Sequence, residues 1–195
     1  TFWIEYHLWG LGTLGPDNFL HAPGYHIDNI LLHMLTCLIL FQLIKKLKLP
    51  GGTLGAWLAA ALFAVHPVNV ESVAWIAERK NVLCAVFFFA SLLYALKCFR
   101  VIDDDPSSQK PFNKYHYLLA LFLFLLAMLS KTTACVLPPA ILLMVWWRRG
   151  RIARKEFLLS LPFFLIAAAM SLITVHTEHG DTVGARGIDW IYSPL

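Results

Sequence analysis

The stretch His66-Pro67-Val68-Asn69-Val70-Glu71-Ser72-Val73-Ala74-Trp75-Ile76-Ala77-Glu78-Arg79-Lys80-Asn81 stands between apolar runs long enough for a membrane. Wound as a helix at about 100° per residue, it puts Glu71, Ser72, Trp75, Glu78 and Arg79 on one face. Val70, Val73, Ala74 and Ala77 fall on the other. Pro67 suits the first helical turn, where its missing N–H is not needed. A helix with one charged and one apolar face, joined at both ends to hydrophobic spans, is expected to lie in the membrane interface with Trp75 at headgroup level. Glu and Arg are costly there unless they meet water, each other or a polar ligand. These residues alone leave two readings open, a solvated connector with an internal Glu–Arg pair and a ligand site.

Working outward, the composition points to the same environment. Hydrophobic residues make up 58% of the 195, charged ones 14%, and the mean hydropathy is +0.64. Soluble domains carry about 25% charged residues. The apolar residues form six blocks, at 27–44, 54–65, 82–99, 115–129, 133–147 and 157–175. A perpendicular crossing takes roughly 17–25 residues. The first, third and sixth blocks meet that length. The second is short, and the fourth and fifth are divided by Ser130-Lys131-Thr132, as two short spans or one kinked span. Pro138-Pro139 is expected to kink the fifth.

Placement of cations argues for all six. With six crossings, Lys45, Lys46, Lys48, Lys97, Arg100, Lys110, Lys114, Arg148, Arg149, Arg151, Arg154 and Lys155 share one side, twelve of the sixteen Lys and Arg. Arg79, Lys80, Lys131 and Arg186 share the other. By the positive-inside rule the twelve mark the cytoplasm. The expected fold is therefore an all-α integral membrane protein, a polytopic bundle of about six transmembrane helices with interfacial amphipathic helices, Phe2-Trp3-Ile4-Glu5-Tyr6 supplying a second one. Residues 1–195 read as one membrane domain. The N-terminal segment, the amphipathic helix, Lys131 and the tail then face the periplasm or lumen.

Cations on the wrong side of that rule need a reason. Snorkelling stems at span ends are one. A phosphate held by Arg79, Lys80 and Lys131 through charge-assisted hydrogen bonds is the other. The remaining features carry less. Asp103-Asp104-Asp105-Pro106-Ser107-Ser108 reads as a solvated cytoplasmic linker. Cys37, Cys84, Cys98 and Cys135 lack metal-ligand spacing and read as free thiols, a Cys84–Cys135 disulfide being the weaker alternative. His26 and His33 share a helical face with Asn29 and Ile30 between them, which suits interhelical hydrogen bonding as well as function. His176 and His179 beside Glu178 and Asp181 read as a polar loop rather than a metal site. No metal, cofactor or nucleic-acid partner is expected.

Three segments carry a resemblance. Gly24-Tyr25-His26-Ile27-Asp28-Asn29-Ile30-Leu31-Leu32-His33 resembles the GYHLxNLLLH segment of the transmembrane-and-tetratricopeptide-repeat O-mannosyltransferases and their bacterial relatives. Residues 66–81 are similar to that family's HPxHVESVAWIxERKD. Leu129-Ser130-Lys131-Thr132, followed by Leu137-Pro138-Pro139, looks like its LxSKxxxxxLP segment. The resemblance implies a GT-C type glycosyltransferase in the bacterial inner membrane or the endoplasmic reticulum. Such enzymes transfer a sugar from a polyprenyl-phosphate donor to an acceptor on the non-cytoplasmic face. It also implies that the chain is a segment of a longer protein, with the family's acidic pair upstream of Thr1 and its repeats beyond Leu195. The general base is thus expected upstream, since Asp17 and Asp28 do not match that pair. The implied donor site comprises Arg79, Lys80 and Lys131 for the phosphate, Glu71 and Glu78 to orient those cations or bind sugar hydroxyls, and His66 to position the helix. The alternative is a non-catalytic accessory subunit, contacting membrane lipid and other membrane subunits of a complex.

Overall fold

The computed structural model describes residues 22–75, 78–102 and 112–186, and every regular element among them is helical. Helices α1 (Ala22–Lys46) and α2 (Gly52–Val65) form a hairpin, followed by the two-turn α3 (Pro67–Ala74). A second hairpin comprises α4 (Arg79–Cys98) and α5 (Lys114–Ser130). A 3₁₀ turn at Thr132–Val136 leads into α6 (Leu137–Arg149), and α7 (Arg154–Arg186) follows. The expected aromatic helix at 2–6, Asp17, the acidic stretch 103–108 and the side chains of Glu178, His179, Asp181 and Arg186 lie outside what is described.

Each of the six apolar blocks is helical. Among the described residues three helices are long and apolar enough to cross a membrane: α1 over Gly24–Lys46, α4, and α7 over Arg154–Thr177. There are four if α2 and α3, bent by 55° at their junction, count as one broken span.

The helices alternate in direction. His33 meets the Ala64 carbonyl and Phe41 packs on Trp57, so α1 and α2 are antiparallel. The Cys84 thiol reaches the Lys131 carbonyl, the Ser91 hydroxyl donates to Ala120 O at 2.7 Å, and Cys98 reaches Asn113 O, so α4 and α5 are antiparallel too. Tyr117 donates to Leu159 O and Phe124 packs on Phe163, which sets α7 alongside α5 in the same direction. The core is centred on the α4–α5 pair, where Leu92, Leu96, Phe124, Met128, Leu137 and Phe163 are buried together. Ala95, Ala120 and Ala127 are fully buried and let the backbones approach closely. By contrast α1 and α2 expose Leu31, Leu38, Leu58 and Leu62, a surface suited to lipid.

Three expectations are corrected. The stretch 176–181, read as a polar loop, is helical within α7. The amphipathic stretch is not one helix from His66 to Asn81: α3 ends at Ala74, Trp75 is extended at φ −90° and ψ 122°, and Arg79, Lys80 and Asn81 form the first turn of α4. Tertiary contacts from α1, described below, capture the backbone at the break. Likewise Pro138 and Pro139 do not kink a span. They occupy the opening turn of α6, where no amide donor is required, and the irregularity falls in the 3₁₀ turn before it. All four cysteines are free thiols.

Candidate functional site

One end of the bundle gathers the start of α1, the end of α2, α3, the start of α4 and the Lys131 turn. Its backbone is organised by side chains that satisfy orphan helix-end groups. His66, preceding a proline, is extended, as that position requires. Its Nδ1 accepts the Val68 N–H at 3.2 Å and caps α3. Asn69 Nδ2 donates to Phe63 O at 2.6 Å, and His33 Nε2 lies 3.2 Å from Ala64 O, so the last carbonyls of α2 are also met.

Asn29 performs the same service for α3. Its Nδ2 donates to Val73 O at 3.2 Å and Trp75 O at 3.3 Å, while its Oδ1 accepts Arg79 Nε–H at 3.0 Å. Arg79 Nη2 donates to Tyr25 O at 2.9 Å and stands 3.9 Å from Asp28 Oδ2. The Arg79 side chain is 1% exposed. It therefore ties the first turn of α4 to α1.

Those partners form a separate chain of polar contacts. Lys131 is extended at φ −158° and ψ 129°, its N–H capping α5 through Ala127 O at 2.9 Å. That backbone aims Nζ at Asn81 Oδ1, 2.6 Å away and fifty residues distant in sequence. Asn81 Nδ2 donates to Ser72 Oγ at 3.2 Å and to Glu78 Oε2. Glu78 Oε1 lies 3.7 Å from Lys80 Nζ, and the Lys80 side chain is 56% exposed. Lys131 and Lys80 thus flank an Asn81–Glu78 bridge, with one carboxylate between two ammonium groups. Glu71, next to Ser72 in sequence, is exposed on α3. An apolar groove of about 380 Å³, lined by His26, Ile30, His33, Ala64, Val70 and Val73, runs on another side of α3.

Of the residues named from sequence, the structure brings Lys131, Glu78 and Lys80 together. It sets His66 as a cap, Glu71 in solvent, and Arg79 against α1. Asn81, Ser72, Asn29 and the Tyr25 carbonyl were missed as members of this end. The sequence signals were the position of all four inside the two longest motif segments and that of Ser72 on the charged face.

Comparison with known proteins decides the relationship. The human protein O-mannosyl-transferase TMTC4 is 34% identical over 142 residues, covering 67% of this chain and 18% of that protein. Human protein O-mannosyl-transferase TMTC1 is 41% identical over 112 residues, 56% of this chain and 12% of its own length. Protein O-mannosyl-transferase F38B6.6 of Caenorhabditis elegans is 37% identical over 98 residues, 50% of this chain and 13% of its own. The chain is related to the transmembrane-and-tetratricopeptide-repeat O-mannosyltransferases over a partial segment. It spans less than a fifth of the length of these O-mannosyltransferase relatives. No family model and no solved structure matches it.

Proposed function

We propose that the chain is a segment of a membrane-embedded glycosyltransferase. It takes a sugar from a polyprenyl-phosphate donor and delivers it to an acceptor on the non-cytoplasmic face, lumenal or periplasmic. The bundle crosses the membrane six times, with the Lys131 end outward. The relatives' names support sugar transfer, mannose among the candidates. The observation that carries the donor site is the Lys131–Asn81–Glu78–Lys80 chain, in which two residues fifty apart meet at 2.6 Å.

In this reading Lys131 and Lys80 hold the lipid phosphate. As the sugar departs, negative charge grows on the phosphate oxygens, and the two ammonium groups stabilise it more than they stabilise the ground state. Glu78 and Asn81 keep those groups apart and aimed, and Glu78 or Glu71 accepts sugar hydroxyls. Arg79 positions the first turn of α4 and does not touch the phosphate. Deprotonation of the acceptor falls to a carboxylate elsewhere in the longer protein.

Replacing Lys131 with Met in the full-length protein keeps most of the stem's packing and removes the charge. Donor affinity is expected to fall by about 1.5–3 kcal/mol, one charged hydrogen bond, with thermal stability nearly unchanged. Titration with a polyprenyl-phosphate sugar reads the first, and unfolding in detergent the second. Unchanged affinity would remove the donor site and favour the accessory-subunit reading.

A further inference from the structure

At the opposite end of the bundle the chain turns from α6 into α7 through Gly150, at a left-handed φ of 68°. The turn brings Arg148, Arg149 and Arg151 to the C-terminus of α4, where with Arg100, Ala153 and Glu156 they line a cleft of about 910 Å³. A smaller depression of about 170 Å³ shares Arg149 and Glu156 and adds Lys155. The floor is built. Arg149 Nη1 pairs with Glu156 Oε1, and its Nη2 donates to the Phe99 carbonyl and, at 3.3 Å, to the Arg100 carbonyl. Glu156 Oε2 accepts the Ala153 N–H. Both oxygens of the one carboxylate among the lining residues are therefore taken.

Arg148 and Arg151 are exposed at the mouth and make no ion pair among the described residues. The positive-inside rule accounts for cations at this end. It does not account for several of them meeting in one cleft of a size that holds a whole small molecule. Trp146 and Trp147, 53% and 54% exposed, and Ile152, 43% exposed, surround the same turn. Aromatic and apolar side chains of that kind sit at headgroup level, so the cleft opens where lipid phosphates lie. Guanidinium groups match phosphate oxygens two at a time.

We infer that this cleft binds the multiply phosphorylated headgroup of a membrane lipid, at the end of the bundle opposite Lys131. The test uses the full-length protein in nanodiscs of phosphatidylcholine. Either phosphatidylinositol bisphosphate or phosphatidylserine is added at matched total charge, and bound lipid is counted by native mass spectrometry. The bisphosphate lipid should be retained over the serine lipid. The double variant Arg148→Gln, Arg151→Gln should lose about tenfold or more of that retention while keeping its unfolding temperature. Lys114→Gln, which removes an exposed cation at the same end outside the cleft, should leave it unchanged. Equal retention of the two lipids at matched charge, or an unaffected double variant, would overturn the inference. So would soluble inositol trisphosphate binding as tightly as the lipid, which would make the ligand a free phosphate. Binding that emerges only after Asp103, Asp104 and Asp105 are replaced by Asn would overturn it as well, since the chain's own acidic stretch would be the occupant.

Discussion

Arg79 and Lys131 show how two cations near one end of a bundle take different work. Arg79 is buried with donors committed to Asn29 Oδ1 and Tyr25 O, whereas Lys131 reaches its amide partner from a half-buried turn. Removing Arg79 strands polar groups of α1 in the interior. Arg79→Met is therefore expected to lower stability by about 3–5 kcal/mol, the scale of breaking a buried charge's contacts. Arg79→Lys should recover little, because one ammonium cannot reproduce a fork that spans two acceptors. Thermal unfolding in detergent checks both, and a stable Arg79→Lys protein would contradict the clamp. At this scale the sequence disclosed the charged residues but not their allegiances. Lys131, Lys80 and Glu78 were legible because charge is rare beside apolar spans. Asn81 and Ser72 were not, since an amide and a hydroxyl acquire meaning only when distant segments converge on them.

Helix ends, more than helix interiors, define the elements near the site. The six apolar blocks were legible because each is long enough to fill at least three turns, and all six are helical. The break at Trp75 was not, because amphipathic periodicity runs straight through it. What ends α3 there is an amide on another helix. Asn29 donates to two carbonyls and accepts from a guanidinium at once. Aspartate at this position would keep the acceptor and lose both donors, leaving Val73 O and Trp75 O unmet. Asn29→Asp should thus loosen α3 while leaving α4 and α5 intact. The expected reading is faster amide hydrogen exchange at 68–74, by about tenfold or more for 1.5 kcal/mol of lost local stability. Unchanged exchange in that segment would show that the cap is not what holds it.

At the scale of the molecule, the alternating helices sort the charges. Lys45, Lys97, Lys114, Arg148 and Lys155 lie at one end, and Arg79, Lys80 and Lys131 at the other, following from the antiparallel contacts already described. This sorting was legible in advance, since it needs only the order of apolar blocks and cations. In a cysteine-free background, Val68→Cys on exposed α3 should label with a membrane-impermeant reagent from the non-cytoplasmic side and Lys114→Cys from the cytoplasmic side. Labelling of both from the same side would contradict the six-crossing arrangement. Burial is just as unevenly shared: 44% of the most apolar window of α4 is buried, against 17% in α1 and in α7. Lipid tails are as apolar as leucine, so exchanging one aliphatic residue for another at Leu31 or Leu38 leaves the molecule almost indifferent. The same exchange at Leu92 or Leu96 meets packed neighbours. Inherited change can therefore accumulate faster at the exposed apolar positions of α1 and α7 than along the α4–α5 pair, so that parts of one bundle diverge from an ancestral sequence at different speeds.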